Sequence, residues 1–364
     1  MNISLREILI SQPKSKIKAG EGKENGKYRF FTSSPIQSKF IDVADYTFPA
    51  LIFGTGGNAS VHYCGEPFST STDCLVMYGT DDANLELIYQ YLNTNLHILQ
   101  AGFKGAGLQH ISKDYILDIV LAFPDKETQN HILMELQNID SLIIARREQL
   151  AKLDELVKSR FIEMFGDVIT NTRGWKQYIF SEIATSRLGK MLDAKQQTGN
   201  NIFPYLANFN VQWFRFDLTS LNQMDFDEED QVEFELKEGD LLVCEGGEIG
   251  RCAVWHNEMK PCYFQKALHR VRCNTEVINP NYMAWWFKYN CDHNGFAAIE
   301  GAKATIAHLP GAKLKLLSVT TPPIELQNEF AAFLEQTDKS KFEIQKSLEK
   351  LETLKKSLMQ KYFG

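Results

Sequence analysis

The sequence predicts an α+β protein made of two mixed α/β domains, each followed by one long helix. Three observations lead to this prediction. A segment in the middle of the chain is repeated at its end, both copies carry a heptad pattern of apolar residues, and each globular half contains a glycine-rich hairpin. The length of 364 residues also fits two domains better than one.

Composition limits the functional classes. Hydrophobic residues make up 44% and charged residues 23% of the chain, which are ordinary globular values. The net charge of −7 gives no overall attraction to nucleic acid. The seven cysteines are scattered without a CxxC pair, which argues against a zinc site or a secreted disulfide scaffold. Because no apolar run could span a membrane and the start lacks a signal-peptide pattern, we expect a location in the reducing cytoplasm.

The charge is distributed unevenly along the chain. Between Arg6 and Lys39 there are eight Lys or Arg residues and three Glu residues. Between Asp225 and Asp240 there are nine acidic residues and one Lys. The plain interpretation of both runs is a solvated surface.

The repeated segment organises the chain. Residues 124–166 and 322–364 align without a gap at an offset of 198, and about a third of the aligned positions are identical. The repeat continues upstream, where His110 aligns with His308. We therefore predict two globular domains and two helical segments, with the boundaries 1–123, 124–166, 167–321 and 322–364.

Each copy of the repeat predicts a long helix with a narrow apolar seam. Such a helix needs a partner of similar shape, and the other copy is the obvious candidate. Each helix of about 38 residues would measure roughly 57 Å. The predicted seam consists of the apolar heptad positions Leu136, Ile143, Leu150, Leu153, Val157, Leu334, Ile344, Leu348, Leu351 and Leu358.

The globular halves contain matching strand patterns. Residues 48–63 and 240–255 each predict a hairpin with a glycine-rich turn. Residues 265–273 alternate as a strand does, with Lys266, His269 and Arg270 among the polar positions. Asp81-Asp82 and Asn279-Pro280 align as the openings of helices.

Catalytic motifs are missing from the sequence. It has no GxxxxGK[ST], HExxH or GxSxG pattern. Two segments weakly resemble those of a stand-alone adenine methyltransferase. Phe53–Gly57 resembles a nucleotide-binding glycine loop, and Asn279–Tyr282 resembles a box that binds a flipped adenine. The spacing of the glycines is wrong and the box lacks its second proline, so we predict no catalytic residues and no metal site.

Two paired loops favour binding instead. Residues 104–109 and 301–305 each combine small residues with one lysine, at matching positions of the repeat. Such loops allow backbone N–H groups and an ammonium group to approach a phosphate closely. Beside them, His110 and His308 are interpreted as structural histidines, with a phosphate contact as the alternative.

The duplication, the hairpins and several stretches together resemble the specificity (S) subunit of Type I restriction–modification enzymes. The resemblance covers nearly the whole chain. The first half departs from the family, because it is short at about 120 residues and its counterpart of 265–272 is poorly matched. The stretches that carry the resemblance are LDELVKSRFIEMFGD (153–167), GDLLVCEGGEIG (239–250), QKALHRVR (265–272) and GAKATIAHLPGAKLKLLSVTTPPIELQNEF (301–330).

The resemblance implies a fold and a set of partners. It implies two target-recognition domains joined by two long helices that pair as an antiparallel coiled coil, with an internal pseudo-twofold repeat. Each domain would read one half of a bipartite site on double-stranded DNA. Two modification (M) subunits and the restriction (R) subunits would be the protein partners. The chain itself would need no cofactor, since S-adenosylmethionine, ATP and magnesium are expected on those partner subunits.

DNA recognition needs cations for phosphates and amide, hydroxyl or guanidinium groups for base edges. The candidates on these grounds are Asn58, Thr70, Ser71, Thr72, Lys104, Arg251, Gln265, Lys266, Arg270, Lys303 and Thr305. The acidic run 225–240 should point away from the DNA. The alternatives to this function are a stand-alone DNA adenine methyltransferase or nuclease-associated enzyme, and a purely structural coiled-coil scaffold.

Overall fold

The structure is a computed structural model that describes residues 2–105, 107, 109–122, 124–193, 197–296 and 309–363. The chain divides into two compact units. Unit 1 comprises Met1–Glu148 and Gln345–Gly364, and unit 2 comprises Gln149–Ile344. Each unit therefore contains one globular half together with part of each long helix.

Unit 1 combines short strands with helices. Its described strands are β1 (Asn2–Ser4), β2 (Leu9–Ser11), β3 (Tyr28–Phe31), β4 (Lys39–Ile41), β5 (Ala50–Gly54), β6 (Val61–Cys64), β7 (Phe68–Thr70), β8 (Cys74–Gly79), β9 (Phe103–Lys104), β10 (His110–Ile111) and β11 (Val120–Ala122). Its described helices are α1 (Leu5–Ile8), α2 (Leu85–Thr94), α3 (Leu96–Gln100), α4 (Lys113–Leu117) and the first part of α5 (Lys126–Phe165).

Unit 2 repeats the same kinds of elements. Its described strands are β12 (Lys176–Ile179), β13 (Ala184–Leu188), β14 (Ile202–Leu206), β15 (Val211–Gln212), β16 (Arg215–Phe216), β17 (Asn222–Asp225), β18 (Leu241–Cys244), β19 (Cys252–Val254), β20 (Tyr263–Phe264), β21 (Leu268–Cys273) and β22 (Ser318–Thr321). Its described helices are α6 (Phe180–Ile183), α7 (Glu228–Phe234), α8 (Pro280–Asp292), α9 (Gly311–Lys315) and the first part of α10 (Ile324–Phe363).

The sheets of the two units have the same topology. The antiparallel order β2-β8-β5-β6 in unit 1 corresponds to β13-β21-β18-β19 in unit 2. The three-stranded order β4-β3-β7 corresponds to β17-β14-β20, and in both of these sheets the last pair is parallel. The α+β fold with an internal repeat is therefore present, as predicted.

The connections between equivalent strands differ in length. The connection from β3 to β4 covers residues 32–38, whereas that from β14 to β17 covers residues 207–221 and includes β15 and β16. The strands themselves keep their partners in both units. The extra residues of unit 2 thus lie outside the sheets that the two units share.

Each unit has its own apolar cores. In unit 2, Phe161 and Phe165 of α5 pack with Tyr282 of α8 and Phe330 of α10, at ring-centroid distances of 4.8 to 5.8 Å. All four side chains are fully buried. Burial of each such side chain contributes about 2–3 kcal/mol, so this cluster fixes the long helices to the globular part of the unit.

The long helices α5 and α10 run antiparallel where they pair. In unit 1, Asp140 contacts Lys355 at 2.5 Å and Arg147 contacts Glu352 at 2.8 Å. In unit 2, Asp154 contacts Lys341 at 2.6 Å and Arg160 contacts Glu329 at 3.0 Å. Partner numbers fall on one helix as they rise on the other, which is the antiparallel arrangement.

The predicted seam lies between the paired helices. Its ten residues are all buried or half-buried, with Leu136 and Val157 among the least exposed. The ion pairs along the helices are partly exposed and contribute at most about 1 kcal/mol each. The apolar seam therefore provides most of the pairing energy.

Two identities of the repeat have a structural explanation. The side-chain amide of Gln129 donates to the carbonyl of Pro124 at 3.0 Å, and that of Gln327 donates to the carbonyl of Pro322 at 2.7 Å. Both glutamines are buried. Each bond joins the first turn of a long helix to the carbonyl of the proline that lies just before it.

The helix starts are predicted correctly in one half only. Helix α8 begins at Pro280 with Asn279 as its N-cap, as predicted. Helix α2 begins at Leu85, and its N-cap is Asn84 rather than Asp81 or Asp82. Asn84 and Asn279 are 195 positions apart, whereas the equivalent residues Ile111 and Leu309 are 198 apart. The gapless offset of 198 fails here because unit 2 has three more residues between the helix start and that segment.

All seven cysteines are free, which agrees with the expectation of no disulfide scaffold. Within the described ranges, none of the helices is long and apolar enough to cross a membrane.

Candidate nucleic-acid interface

The glycine-rich hairpins form the centre of the candidate site in each unit. The turn between β5 and β6 covers residues 55–60, and the turn between β18 and β19 covers residues 245–251. Gly57 and Gly247 occupy equivalent positions and have φ values of 82° and 81°. A side chain at either position would be strained, so glycine permits the same tight turn twice.

Two further segments are hydrogen-bonded to each hairpin. In unit 1 the carbonyl of Thr55 accepts from the N–H of Ile111 at 3.2 Å, and the N–H of Thr55 donates to Asp73 at 2.9 Å. In unit 2 the carbonyl of Glu245 accepts from the N–H of Leu309 at 2.6 Å, and the N–H of Glu245 donates to Ala267 at 2.9 Å. We call this repeated set of backbone bonds the hairpin frame.

The hairpin frame identifies the counterpart of residues 265–266 in unit 1. The N–H of Cys74 donates to the carbonyl of Ser71, as that of Leu268 does to Gln265. Ser71 and Thr72 therefore correspond to Gln265 and Lys266. The sequence alone could not align them, because the two strands share their backbone geometry and not their side chains.

A fourth segment lies beside this turn in both units. The N–H of Thr72 donates to the carbonyl of Ile17 at 2.9 Å, and the N–H of Lys266 donates to the carbonyl of Lys190 at 2.8 Å. Ile17 and Lys190 are therefore equivalent positions. The site in each unit is built from four segments that are far apart in the sequence.

Several predicted DNA contacts are accessible. The side chains of Asn58, Thr72, Lys104 and Lys266 are exposed, and that of Gln265 is half-buried. They lie on the hairpin, on the adjacent turn or next to the segment that ends at Ile111. Lys303 and Thr305 lie outside the described residues, as do His308 and the loop 301–305.

The prediction was wrong for Thr70 and Ser71. Both residues have no exposed surface. Thr70 ends strand β7, and the hydroxyl of Ser71 accepts a hydrogen bond from the N–H of Asp73 within the turn. Because both side chains are buried, neither hydroxyl can reach a base edge, and that of Ser71 is used within the turn.

The prediction was also wrong for Arg270. Arg270 is 7% exposed, and its guanidinium donates to the carbonyl of Glu233 at 2.5 Å. Burial lowers the pKa of this guanidinium, and the nearby Arg272 adds to that effect. Arg270 is thus used to hold the acidic segment against β21 and is not available to DNA.

The acidic run is bound by the basic residues of its own unit. Asp240 accepts two bonds from Arg272, at 2.7 and 3.1 Å, and its side chain is almost fully buried. Glu233 pairs with Arg187 at 2.9 Å. This part of the run is therefore a structural element and not a freely solvated surface.

Arg251 positions the hairpin. Its guanidinium donates to the carbonyl of Asn208 at 3.0 Å, and the amide of Asn208 donates to the carbonyl of Gly246 at 3.0 Å. Glu248 lies 3.6 Å from the same guanidinium. With its side chain mostly buried in these contacts, Arg251 connects the 207–221 connection to the hairpin turn.

His110 is exposed and lies beside the hairpin turn. Its Nδ1 lies 3.0 Å from the carbonyl of Thr55, so that nitrogen carries the proton and donates. In the part of the chain that the structure describes, no group of His, Cys, Asp and Glu residues could hold a metal ion.

The lysines that flank Ile17 are not among the DNA contacts predicted from the sequence. Lys16 and Lys18 are exposed and lie beside Thr72 through the bond to Ile17. Their signal in the sequence was the basic run between Arg6 and Lys39, which was interpreted as a solvated surface.

Two curated proteins are similar to parts of the chain. The putative type I restriction enzyme MjaX specificity subunit of Methanocaldococcus jannaschii is 26% identical over 176 residues, which is 47% of this chain and 41% of the relative. The type I restriction enzyme EcoDI specificity subunit of Escherichia coli is 23% identical over 209 residues, 57% of this chain and 46% of the relative. The chain thus spans less than half the length of these curated relatives.

Two solved structures share the fold. The S subunit of a Type I restriction–modification system from M. genitalium has a TM-score of 0.65 and 14% identity, covering 100% of this chain and 96% of that chain. A chain from a study of complex assembly and conformational transition of the type I R-M system has a TM-score of 0.59 and 13% identity, covering 100% and 97%. At these identities the likeness concerns the fold alone.

The family comparison covers both globular halves. The model of the Type I restriction modification DNA specificity domain matches residues 1–155 and 172–356. Because these ranges make up most of the sequence, the chain belongs to the family of Type I restriction–modification DNA specificity domains.

Proposed function

We propose that the chain is the DNA sequence-specificity subunit of a Type I restriction–modification complex. Each unit would read one half of a bipartite site on double-stranded DNA. Family membership supports this proposal. The observation that carries it is the hairpin frame, which is built twice and in each unit brings exposed polar side chains together.

The residues of the site divide by chemistry. Amide and hydroxyl groups can exchange hydrogen bonds with base edges, so Asn58, Thr72 and Gln265 are the proposed base contacts. Lysine ammonium groups suit phosphates, so Lys104 and Lys266 are proposed backbone contacts. Thr305 and Lys303 keep the same proposed roles of base and phosphate contact on the strength of the sequence.

The chain would act as a non-catalytic subunit. Its proposed partners are two M subunits, which would methylate adenine with S-adenosylmethionine, and R subunits, which would use ATP and magnesium. The paired helices α5 and α10 would hold these partners and set the distance between the half-sites. A cytoplasmic location follows from the proposed DNA substrate.

Methylome sequencing tests the proposal. Cells that express the chain with its M subunit should acquire methylated adenines in one bipartite motif, and cells that express the M subunit alone should not. A Gln265→Ala variant should relax the second half-site only. A motif that is unchanged when the chain is omitted would contradict the proposal.

Two binding measurements separate the other functional classes. Binding of S-adenosylmethionine by the purified chain would favour a stand-alone methyltransferase. If the complex bound random and selected duplexes equally, a purely structural scaffold would account for the chain better than a specificity subunit.

A further inference from the structure

We infer that the two units hold the DNA backbone unequally, with Lys16 and Lys18 of unit 1 as phosphate contacts that have no counterpart among the described residues of unit 2. This inference rests on the proposed function. It concerns the segments around the equivalent residues Ile17 and Lys190. These segments lie beside the turns at Ser71-Thr72 and Gln265-Lys266, which we call the reading turns.

The segment of unit 1 presents its lysines outward. Ile17 is held to the turn through its carbonyl and is half-buried. Ser15 is 7% exposed, and its hydroxyl donates to Asp45 at 2.6 Å while accepting from the N–H of Ile17. Burial alternates along this segment, so that Ser15 and Ile17 face the protein while Lys16 and Lys18 are exposed.

The ammonium groups of Lys16 and Lys18 are not neutralised. Among the residues that the structure describes, no carboxylate pairs with either of them, whereas Lys23 nearby in sequence pairs with Asp42 at 2.9 Å. Exposed lysines beside a reading turn carry the charge that phosphate contacts need, and their position next to Thr72 places that charge at the edge of the proposed site.

The equivalent segment of unit 2 exposes less positive charge. Lys190 is 7% exposed, and its ammonium group pairs with the carboxylate of Asp230 and donates to the carbonyl of Asp225 at 2.8 Å. The next residues, Met191 and Leu192, are exposed but uncharged. Gly189 and Met191 stand at the positions equivalent to Lys16 and Lys18. The ammonium group of Lys266 lies 3.8 Å from the sulfur of Met191, so among the described residues this edge of unit 2 carries one exposed lysine where unit 1 carries two.

A difference in salt dependence follows. Each phosphate contact releases counterions and contributes about −0.9 to the slope of log K against log salt concentration. Loss of two contacts should therefore reduce the slope by about 1.8 in magnitude. Contacts of unit 2 should depend less on salt, since Lys266 is the exposed lysine of its reading turn.

The test measures binding of the complex of the chain with its M subunits to a labelled random 30-base-pair duplex, by fluorescence anisotropy between about 25 and 150 mM salt. A Lys16→Gln/Lys18→Gln variant should lose about 1.8 units of slope. Lys346→Gln/Lys350→Gln, which changes the net charge equally on the exposed face of α10, is the matched control and should keep the wild-type slope.

The outcomes distinguish this inference from the proposed function. If the wild-type complex binds and the Lys16/Lys18 variant keeps its slope, or if both double variants lose the same slope, the inference is overturned while DNA binding stands. If the wild-type complex shows no binding even at about 25 mM salt, the proposed function itself fails. Circular dichroism of each variant checks that the fold is kept.

Discussion

The backbone N–H of Ile111 donates to the carbonyl oxygen of Thr55, across 56 positions of the sequence and at a distance of 3.2 Å. This bond ties the segment after Lys104 to the glycine hairpin that carries Asn58. Two loops that the sequence could only suggest separately are thus parts of one surface. The same relationship between Leu309 and Glu245 gives unit 2 an equivalent surface.

The repeated surfaces predict that the two half-sites are independent. Replacing residues 167–321 by the corresponding domain of another specificity subunit should change one half of the methylated motif and leave the other intact. The physical reason is that the described reading segments of each unit are hydrogen-bonded within that unit. Methylome sequencing gives the answer, and a swap that altered both halves would refute modular reading.

Arg270 and Gln265 should respond differently to substitution by alanine. Gln265→Ala should relax discrimination at one base position by roughly 1–3 kcal/mol with little effect on stability. Arg270→Ala should leave the motif unchanged but lower the free energy of unfolding by about 1–3 kcal/mol, because a buried partner of Glu233 is lost. Chemical unfolding and methylome sequencing of both variants separate the two effects.

Unit 2 should lose stability on mild acidification through His269. This histidine is 2% exposed, and its Nε2–H donates to the carbonyl of Leu309 at 3.0 Å. Burial lowers its pKa in the folded state; the bond to Leu309 and the charge of Glu245 oppose that effect, and Lys315 adds to it. The unfolded chain therefore binds a proton as pH falls below about 6.5, while the folded chain does not.

The stabilising contribution of neutral His269 is complete above that pH and decreases as the pH falls toward the lowered folded value. The midpoint of thermal unfolding should therefore decline between pH 7.5 and 5.5. His269→Gln should flatten this decline, since the amide can donate to Leu309 without titrating. His131→Gln is the control, because His131 is mostly exposed on α5. An equally steep decline in both variants would exclude His269 as the cause.

Matched insertions in the long helices should lengthen the unread gap of the DNA site. Asp154 pairs with Lys341, so seven residues inserted after Asp154 and seven before Lys341 keep the pairing on both sides. Seven residues also preserve the heptad seam and add about 10 Å of helix. At about 3.4 Å per base pair, the gap should grow by about three base pairs.

The half-site sequences should stay the same after this double insertion, because the hairpin frames are not altered. Inserting seven residues in α5 alone leaves them unpaired and serves as the control for helix pairing. Methylation of a motif with the original gap in the double-insertion variant would show that the helices do not set the spacing.

Much of the fold could be predicted because it is encoded by local periodicity. The seam, the hairpins and the N-cap at Asn279 depend on residues close together in sequence, and the structure contains all of them. The offset of 198 failed at Asn84, where insertions had shifted one half against the other.

The site was predicted less well because exposure depends on distant segments. Arg270 occupies its strand as a surface residue would. Helix α7, which lies more than 30 positions earlier in the sequence, nevertheless covers Arg270 and accepts its hydrogen bond at Glu233. Ser71 lies in a turn whose own N–H groups use its hydroxyl. No local pattern distinguishes these residues from Gln265 or Thr72, which do reach the surface.

The unequal connections 32–38 and 207–221 start and end on equivalent strands. A loop can thus more than double in length while β3 and β14 keep the same neighbours in their sheets. These two connections are therefore suitable places to graft new loop sequences, because the strands on either side of them keep their pairing when the loop changes length. Libraries that vary the exposed positions of 32–38 or 207–221, and keep the buried Asn210 and Val211 and the hairpin contact of Asn208, should therefore yield mostly folded chains.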